Sequence, residues 1–215
     1  MLNLETESKC FASGYKFVGG VDEAGRGPLA GPVVAACVVI DTDFKIDSAD
    51  LELINDSKKL SAKNREKLFG IIKEKALAVE IGIVDNLTID NINILQATFL
   101  AMRRAIKKLK VEPDYILVDG SFKIPKLEKP QTAIIGGDAK VWVIAAASII
   151  AKVSRDWIMT EIAKQYPEYE FAKHKGYGTK LHLEKITEFG PCPIHRMSFA
   201  PIRKDKIEKD QKKYK

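Results

Sequence analysis

The chain has 215 residues, 46% of them apolar, which fits one globular domain with a full core and room for a small appendage. Its 35 basic and 29 acidic residues leave a net charge of +6, and the segment Arg203–Lys215 (seven Lys/Arg, three Asp/Glu) carries +4 of it, so the body is nearly balanced. Three scattered cysteines (Cys10, Cys37, Cys192) argue against a disulfide framework or structural zinc. The start MLNLETESKC lacks a basic-then-apolar leader and the apolar run Val141–Ala151 is too short to span a bilayer, so the expectation is a soluble, cytoplasmic monomer with no membrane partner.

Taken in chain order, Phe17–Val21 is an apolar strand feeding Asp22, and after a glycine turn VVAACVVI (Val33–Ile40) has strand length and composition. Ser61 caps a helix over Ala62–Lys75, and Leu77–Val84 alternates as a third strand. Ile92, Leu95, Phe99, Met102, Ile106 and Leu109 recur at helical spacing. Tyr115–Val118 is a strand ending in Asp119-Gly120, and Thr132–Ile135 is another, ending in Gly136-Gly137-Asp138. Val141–Gln165 reads as one long helix stopped by Pro167, and Leu181–Glu188 as the last helix. This order predicts an α/β fold: a mixed sheet flanked by helices over residues 1–155, a small helical C-terminal lobe over 156–202, and a basic tail over 203–215.

The stretch VDEAGRGP (Val21–Pro28) places adjacent carboxylates beside a glycine turn. It lacks the Lys-Ser/Thr of a P-loop, and the G-x-G-x-x-A match is followed by a strand where a dinucleotide site needs a helix. On a regular strand Asp22 and Glu23 point to opposite faces, so serving one site requires the strand to end or kink there. Asp119 and Asp138 also follow strands, so the four acids are candidates for a carboxylate cluster. Without His or Cys, such a cluster suits magnesium or manganese.

VDEAGRGP together with NDSKKL (Asn55–Leu60), VDG (Val118–Gly120), ASIIAKV (Ala147–Val153) with Arg155-Asp156, and HKGYGT (His174–Thr179) resembles the ribonuclease HII family over nearly the whole chain. The resemblance implies an RNase H-like fold that cleaves the RNA strand of RNA–DNA hybrids and incises 5′ to single ribonucleotides in duplex DNA. It implies two Mg2+ or Mn2+ ions on Asp22, Glu23, Asp119 and Asp138, with Asp156 a rival for the fourth acid. One ion would activate water and the other stabilise the leaving 3′ oxygen, giving 5′-phosphate and 3′-hydroxyl ends. Gly25, Arg26 and Gly27 match the family's ribonucleotide-sensing turn, and the sister family ribonuclease HIII carries lysine in this turn. Tyr177 matches the tyrosine that stacks on the sugar 3′ of the ribonucleotide. Lys58, Lys59, Ser148 and Lys152 are the expected phosphate contacts. Ribonucleotide repair and primer removal are the implied roles. Competing readings are a metal-free nuclease using His174, His182 and His195, a non-catalytic hybrid binder, and a junction resolvase of the same fold.

Overall fold

A computed structural model describes residues 2–47, 54 and 62–202. Lys58, Lys59, the cap expected at Ser61 and the basic tail lie outside the described residues. Strands β1 (Phe17–Ala24), β2 (Val33–Asp41), β3 (Ala78–Val84), β4 (Tyr115–Asp119) and β5 (Gln131–Ile134) form one mixed sheet in the order β3-β2-β1-β4-β5. The first three are antiparallel neighbours, and β4 and β5 run parallel to β1. Seven α-helices are seen among the described residues: α1 (Glu5–Ala12), α2 (Ala62–Lys75), α3 (Asn86–Ile92), α4 (Ile94–Lys108), α5 (Trp142–Gln165), α6 (Phe171–His174) and α7 (Lys180–Phe189).

Helices cover both faces of the sheet, which is why valine-rich β2 is buried at every position but its last. On one face Val18, Ala36, Val38 and Leu117 pack against α5 and α2 through Ile144, Ala147, Leu68 and Ile72. On the other, Val21, Ala35, Cys37 and Val118 meet Ala101, Met102 and Ala105 of α4. The backbone of α5 crosses directly over β1: a Cβ on Gly20 would lie 2.3 Å from the Val143 carbonyl, so only glycine permits this approach.

One expectation from the sequence needs correcting. The helical pattern beginning at Ile92 is split, because Asn93 turns the chain at φ 65° and caps α4 by accepting from the Gln96 N–H. The short α1 was not foreseen; it docks through Glu7, a buried carboxyl that accepts from the Val143 N–H at 2.9 Å at the start of α5. Helix α5 runs unbroken through residue 156, where the lobe was expected to begin. Beyond it Met159, Tyr169 and Phe171 form a separate small apolar cluster with Ala30. No helix among the described residues is long and apolar enough to cross a membrane.

Candidate active site

Strand β1 continues through the two acids, so it neither ends nor kinks at Asp22 as expected: Asp22, Glu23 and Ala24 pair with Ala36, Ala35 and Val34 of β2. The two side chains therefore leave the strand on opposite faces. Asp22 lies on the α5 face, 5% exposed, where Ser148 hydrogen-bonds its carboxylate. Glu23 lies on the α4 side and opens into a pocket of about 150 Å³ with Arg26, Thr98, Met102, Asp119 and Phe122. The parallel register pairs Val21 with Val118, so one residue further on Asp119 ends β4 beside Asp22. Asp119 Oδ1 accepts from the Gly137 N–H at 2.7 Å and the Asp138 N–H at 3.4 Å, which brings the turn carrying Asp138 onto the same strand tips.

Burial pushes the Asp22 carboxyl well above the usual range, and the charges of Glu23 and Asp119 add to it. Burial also raises Glu23, partly offset by Arg26, whose Nη1 donates to Glu23 Oε1 at 3.1 Å. Among the described residues no three His, Cys, Asp or Glu side chains converge into a ready metal cage. Glu23 Oε1 is held by Arg26, while the same side chain shares its pocket with Asp119. The donor set is nevertheless all hard oxygen and held at mutual repulsion, which fits a hard divalent cation that would neutralise it.

The glycine turn lies next to this group. Gly25 is buried at φ +95°, and a Cβ there would sit 2.1 Å from Arg155 Nε. Arg26 and Gly27 are exposed. Beneath the turn lie two guanidinium groups with no solvent exposure. Arg155 donates to the carbonyls of Pro32 (2.9 Å), Lys175 (3.0 Å) and Ala30 (3.1 Å). Arg196 donates to those of Gly25 (2.6 Å), Arg26 (3.0 Å) and Gly31 (3.0 Å). Desolvation lowers both, Arg196 to about 9. The segment holding Tyr177 joins the same brace, since the Leu29 N–H donates to the Gly176 carbonyl at 2.8 Å. Tyr177 is 41% exposed, with Lys152 Nζ and the Arg155 guanidinium each 5.7 Å from its ring centre.

The fold thus gathers Asp22, Glu23, Asp119, Asp138, Ser148, Gly25, Arg26, Gly27, Tyr177 and Lys152 at one end of the sheet. Ser148 serves the Asp22 carboxylate, and Lys152 Nζ donates to Asp156 at 2.8 Å, an i,i+4 pair on α5. The histidines are internal: His174, His182 and His195 are all buried and bonded through their ring nitrogens to one another or to the backbone. Sequence reading missed Arg196 and the bracing role of Arg155, because a single arginine in a Pro-rich or helical segment carries no local pattern.

The family described as ribonuclease HII matches residues 19–202. A ribonuclease HII from Endomicrobium trichonymphae is 58% identical over 192 residues, covering 89% of this chain and 89% of that protein. One from Caldicellulosiruptor saccharolyticus is 54% identical over 195 residues, covering 91% and 92%. Among solved structures, the ribonuclease H2 from Pyrococcus horikoshii OT3 aligns with a TM-score of 0.73 at 30% identity, over 89% of this chain and 98% of that one. The matched span holds every strand of the sheet apart from the first two residues of β1, together with all four acids at its tip, and the chain belongs to the ribonuclease HII family of metal-dependent endonucleases.

Proposed function

We propose that this chain hydrolyses the RNA strand of RNA–DNA hybrids and incises duplex DNA 5′ to single embedded ribonucleotides, leaving 5′-phosphate and 3′-hydroxyl ends. The observation that carries the reading is the contact between Arg26 and Glu23, which joins the acids at the strand tips to the glycine turn in one site. Asp22, Glu23, Asp119 and Asp138 would hold the divalent ions, Mg2+ or Mn2+. Bound there, the ions supply an activated water and charge stabilisation for the leaving oxygen.

The protein's own groups prepare the site. The Gly137 and Asp138 N–H groups fix the Asp119 carboxylate, and Ser148 and the Glu23 N–H fix that of Asp22. Release of Glu23 from Arg26 frees one carboxylate and one guanidinium together, the first for a cation and the second for a phosphate. Gly27 lets the turn approach a groove closely, where backbone groups can read a 2′-hydroxyl. Tyr177 offers an exposed ring for stacking on the adjoining sugar. The lobe beyond residue 156 would carry Tyr177 to the substrate, and the protein would work as a cytoplasmic monomer in ribonucleotide repair and primer removal.

The test uses three end-labelled duplexes: all DNA, DNA with one ribonucleotide, and an RNA–DNA hybrid, each with Mg2+, Mn2+ or EDTA. A metal-dependent nick 5′ to the lone ribonucleotide supports the reading in full. Cutting of the hybrid alone removes the junction-sensing part, and cutting that persists in EDTA removes the metal assignment.

A further inference from the structure

We propose that Arg196 is a positioning residue for ribonucleotide recognition, acting through the peptide groups of the glycine turn. The inference rests on the reading of that turn given above and adds a residue outside it, 170 positions away in sequence.

Among the described residues the one cis peptide is Ala200-Pro201, so the Gly25–Arg26 and Arg26–Gly27 peptides are trans. In a trans peptide the C=O and N–H bonds point in opposite directions. Arg196 Nη2 holds the Gly25 carbonyl at 2.6 Å and Nη1 holds the Arg26 carbonyl at 3.0 Å, both from the buried side. The N–H groups on the same two peptides, those of Arg26 and Gly27, are therefore directed away from Arg196, towards the exposed side of the turn. Among the described residues neither has a hydrogen-bond acceptor. Two adjacent free N–H groups with a common direction form a ready donor pair for a hydroxyl or phosphate oxygen.

The choice of arginine also has a physical reason. A buried cation bonded to carbonyls alone costs more desolvation than a neutral donor would. Its planar fork, however, fixes three carbonyls at once, since Nε and Nη2 also hold the Gly31 carbonyl at 3.0 and 2.9 Å. A positive charge on a carbonyl oxygen polarises the whole peptide, so its N–H becomes a stronger donor on the far side. Arg155 packs against Gly25 but donates no hydrogen bond to these two peptides; its donors hold Ala30, Pro32 and Lys175. Among the described residues, the side-chain hydrogen bonds to these two carbonyls come from Arg196.

The experiment measures binding in EDTA, by fluorescence anisotropy, of two duplexes that differ only in one 2′-hydroxyl. The comparison is wild type against R196K, which keeps the charge but replaces the fork with a single ammonium. The expected result is a loss of about tenfold in the preference for the ribonucleotide duplex, the worth of two ordinary hydrogen bonds, with all-DNA binding little changed. A purely structural role would lower the melting temperature and leave the preference intact, and that result overturns the proposal. If R196K does not fold, wild-type amide spectra decide instead. The Arg26 and Gly27 N–H resonances should move on adding the ribonucleotide duplex and stay in place with the all-DNA duplex; equal behaviour with both overturns the proposal. A wild type that neither prefers nor incises the ribonucleotide duplex would instead remove the function proposed for the turn, and it is measured separately.

Discussion

Asp22 and Glu23, neighbours in the chain, face opposite sides of the sheet, Asp22 bonded to Ser148 on α5 and Glu23 to Arg26 on the α4 side. Burial and like charge raise both carboxyls, so the ionised pair is a destabilising element kept at the end of a well-paired strand. Replacing Asp22 by Asn removes a buried charge while preserving shape. In EDTA near neutral pH, D22N should melt a few degrees higher than wild type, corresponding to about 1–2 kcal/mol. Saturating Mg2+ should narrow the gap, because only the wild type gains by binding it. Cleavage should fall by about 10²–10³-fold, the scale of losing one charged group in a water-poor site. Calorimetry in both buffers checks this, and a D22N that melts below wild type in EDTA would contradict the stored repulsion.

The two glycines of the turn should separate structure from function. Gly25 has φ +95° and no room for a Cβ, which would meet Arg155 Nε at 2.1 Å and the Pro32 carbonyl at 2.8 Å. G25A should therefore lose about 2–3 kcal/mol of stability from backbone strain and the displaced arginine. A Cβ on Gly27 would meet only Tyr177 Cε1, at an ordinary 4.0 Å. G27A should fold within about 0.5 kcal/mol of wild type. Its methyl would stand at the exposed tip where a sugar must approach, so incision at a lone ribonucleotide should drop at least about tenfold. Urea titration paired with the nicking assay tests both variants. Full activity in G27A would mean that the turn is not approached closely.

What was legible in the sequence follows from how local each signal is. The strands before Asp22 and Asp119 and the long α5 could be read because hydrophobic period and length are written in consecutive residues. Helix α1 could not, since it docks through the buried carboxyl of Glu7, and a buried Glu looks like any surface Glu in a string. The four acids were located as strand-end residues, but which face each occupies depends on where β1 stops, and its pairing with β2 continues to Ala24. Arg196 was invisible because its meaning lies in carbonyls that only the folded chain brings to it. Pattern reading reaches the chemistry that touches a ligand; the groups that hold it in place emerge from topology.

Tyr177 should act through its ring and not its hydroxyl. The ring is 41% exposed, with Lys152 Nζ and the Arg155 guanidinium each 5.7 Å from its centre, so cations flank a face that a sugar or base could cover. Y177F should keep incision at a lone ribonucleotide within about twofold. Y177A should lose about tenfold or more, since stacking on an aromatic side chain is worth about 1–3 kcal/mol. Steady-state rates on the one-ribonucleotide duplex would check this. Equal losses in Y177F and Y177A would assign the role to the hydroxyl.

The three buried histidines should be neutral throughout the physiological range, and their hydrogen bonds fix how. The Gly176 N–H donates to His174 Nδ1, so His174 carries its proton on Nε2, facing the Tyr169 carbonyl at 2.8 Å. The Cys192 N–H donates to His195 Nδ1, so His195 Nε2–H donates to His182 Nε2 at 3.0 Å. His182 is left to donate from Nδ1 to the Tyr177 carbonyl at 2.9 Å. Each ring has one donor and one acceptor in use, and burial lowers all three, His182 and His195 to about 4. Between the ordinary histidine value of 6.5 and about 4 the unfolded chain binds more protons than the folded one. Stability from this cluster is therefore full above 6.5 and is lost as the pH falls towards 4, by about 3 kcal/mol for the cluster taken as one coupled unit. Asp22, Glu23 and Glu7, raised by burial, shift stability the other way on acidification, so urea curves alone would blend the two. Ring C–H resonances isolate the histidines: those of His182 and His195 should hold constant from pH 8 to about 5, and that of His174 should titrate below the ordinary histidine value. Any of the three titrating near 6.5 would show that its place in the cluster is wrong, and with it the support given to the Tyr177 carbonyl.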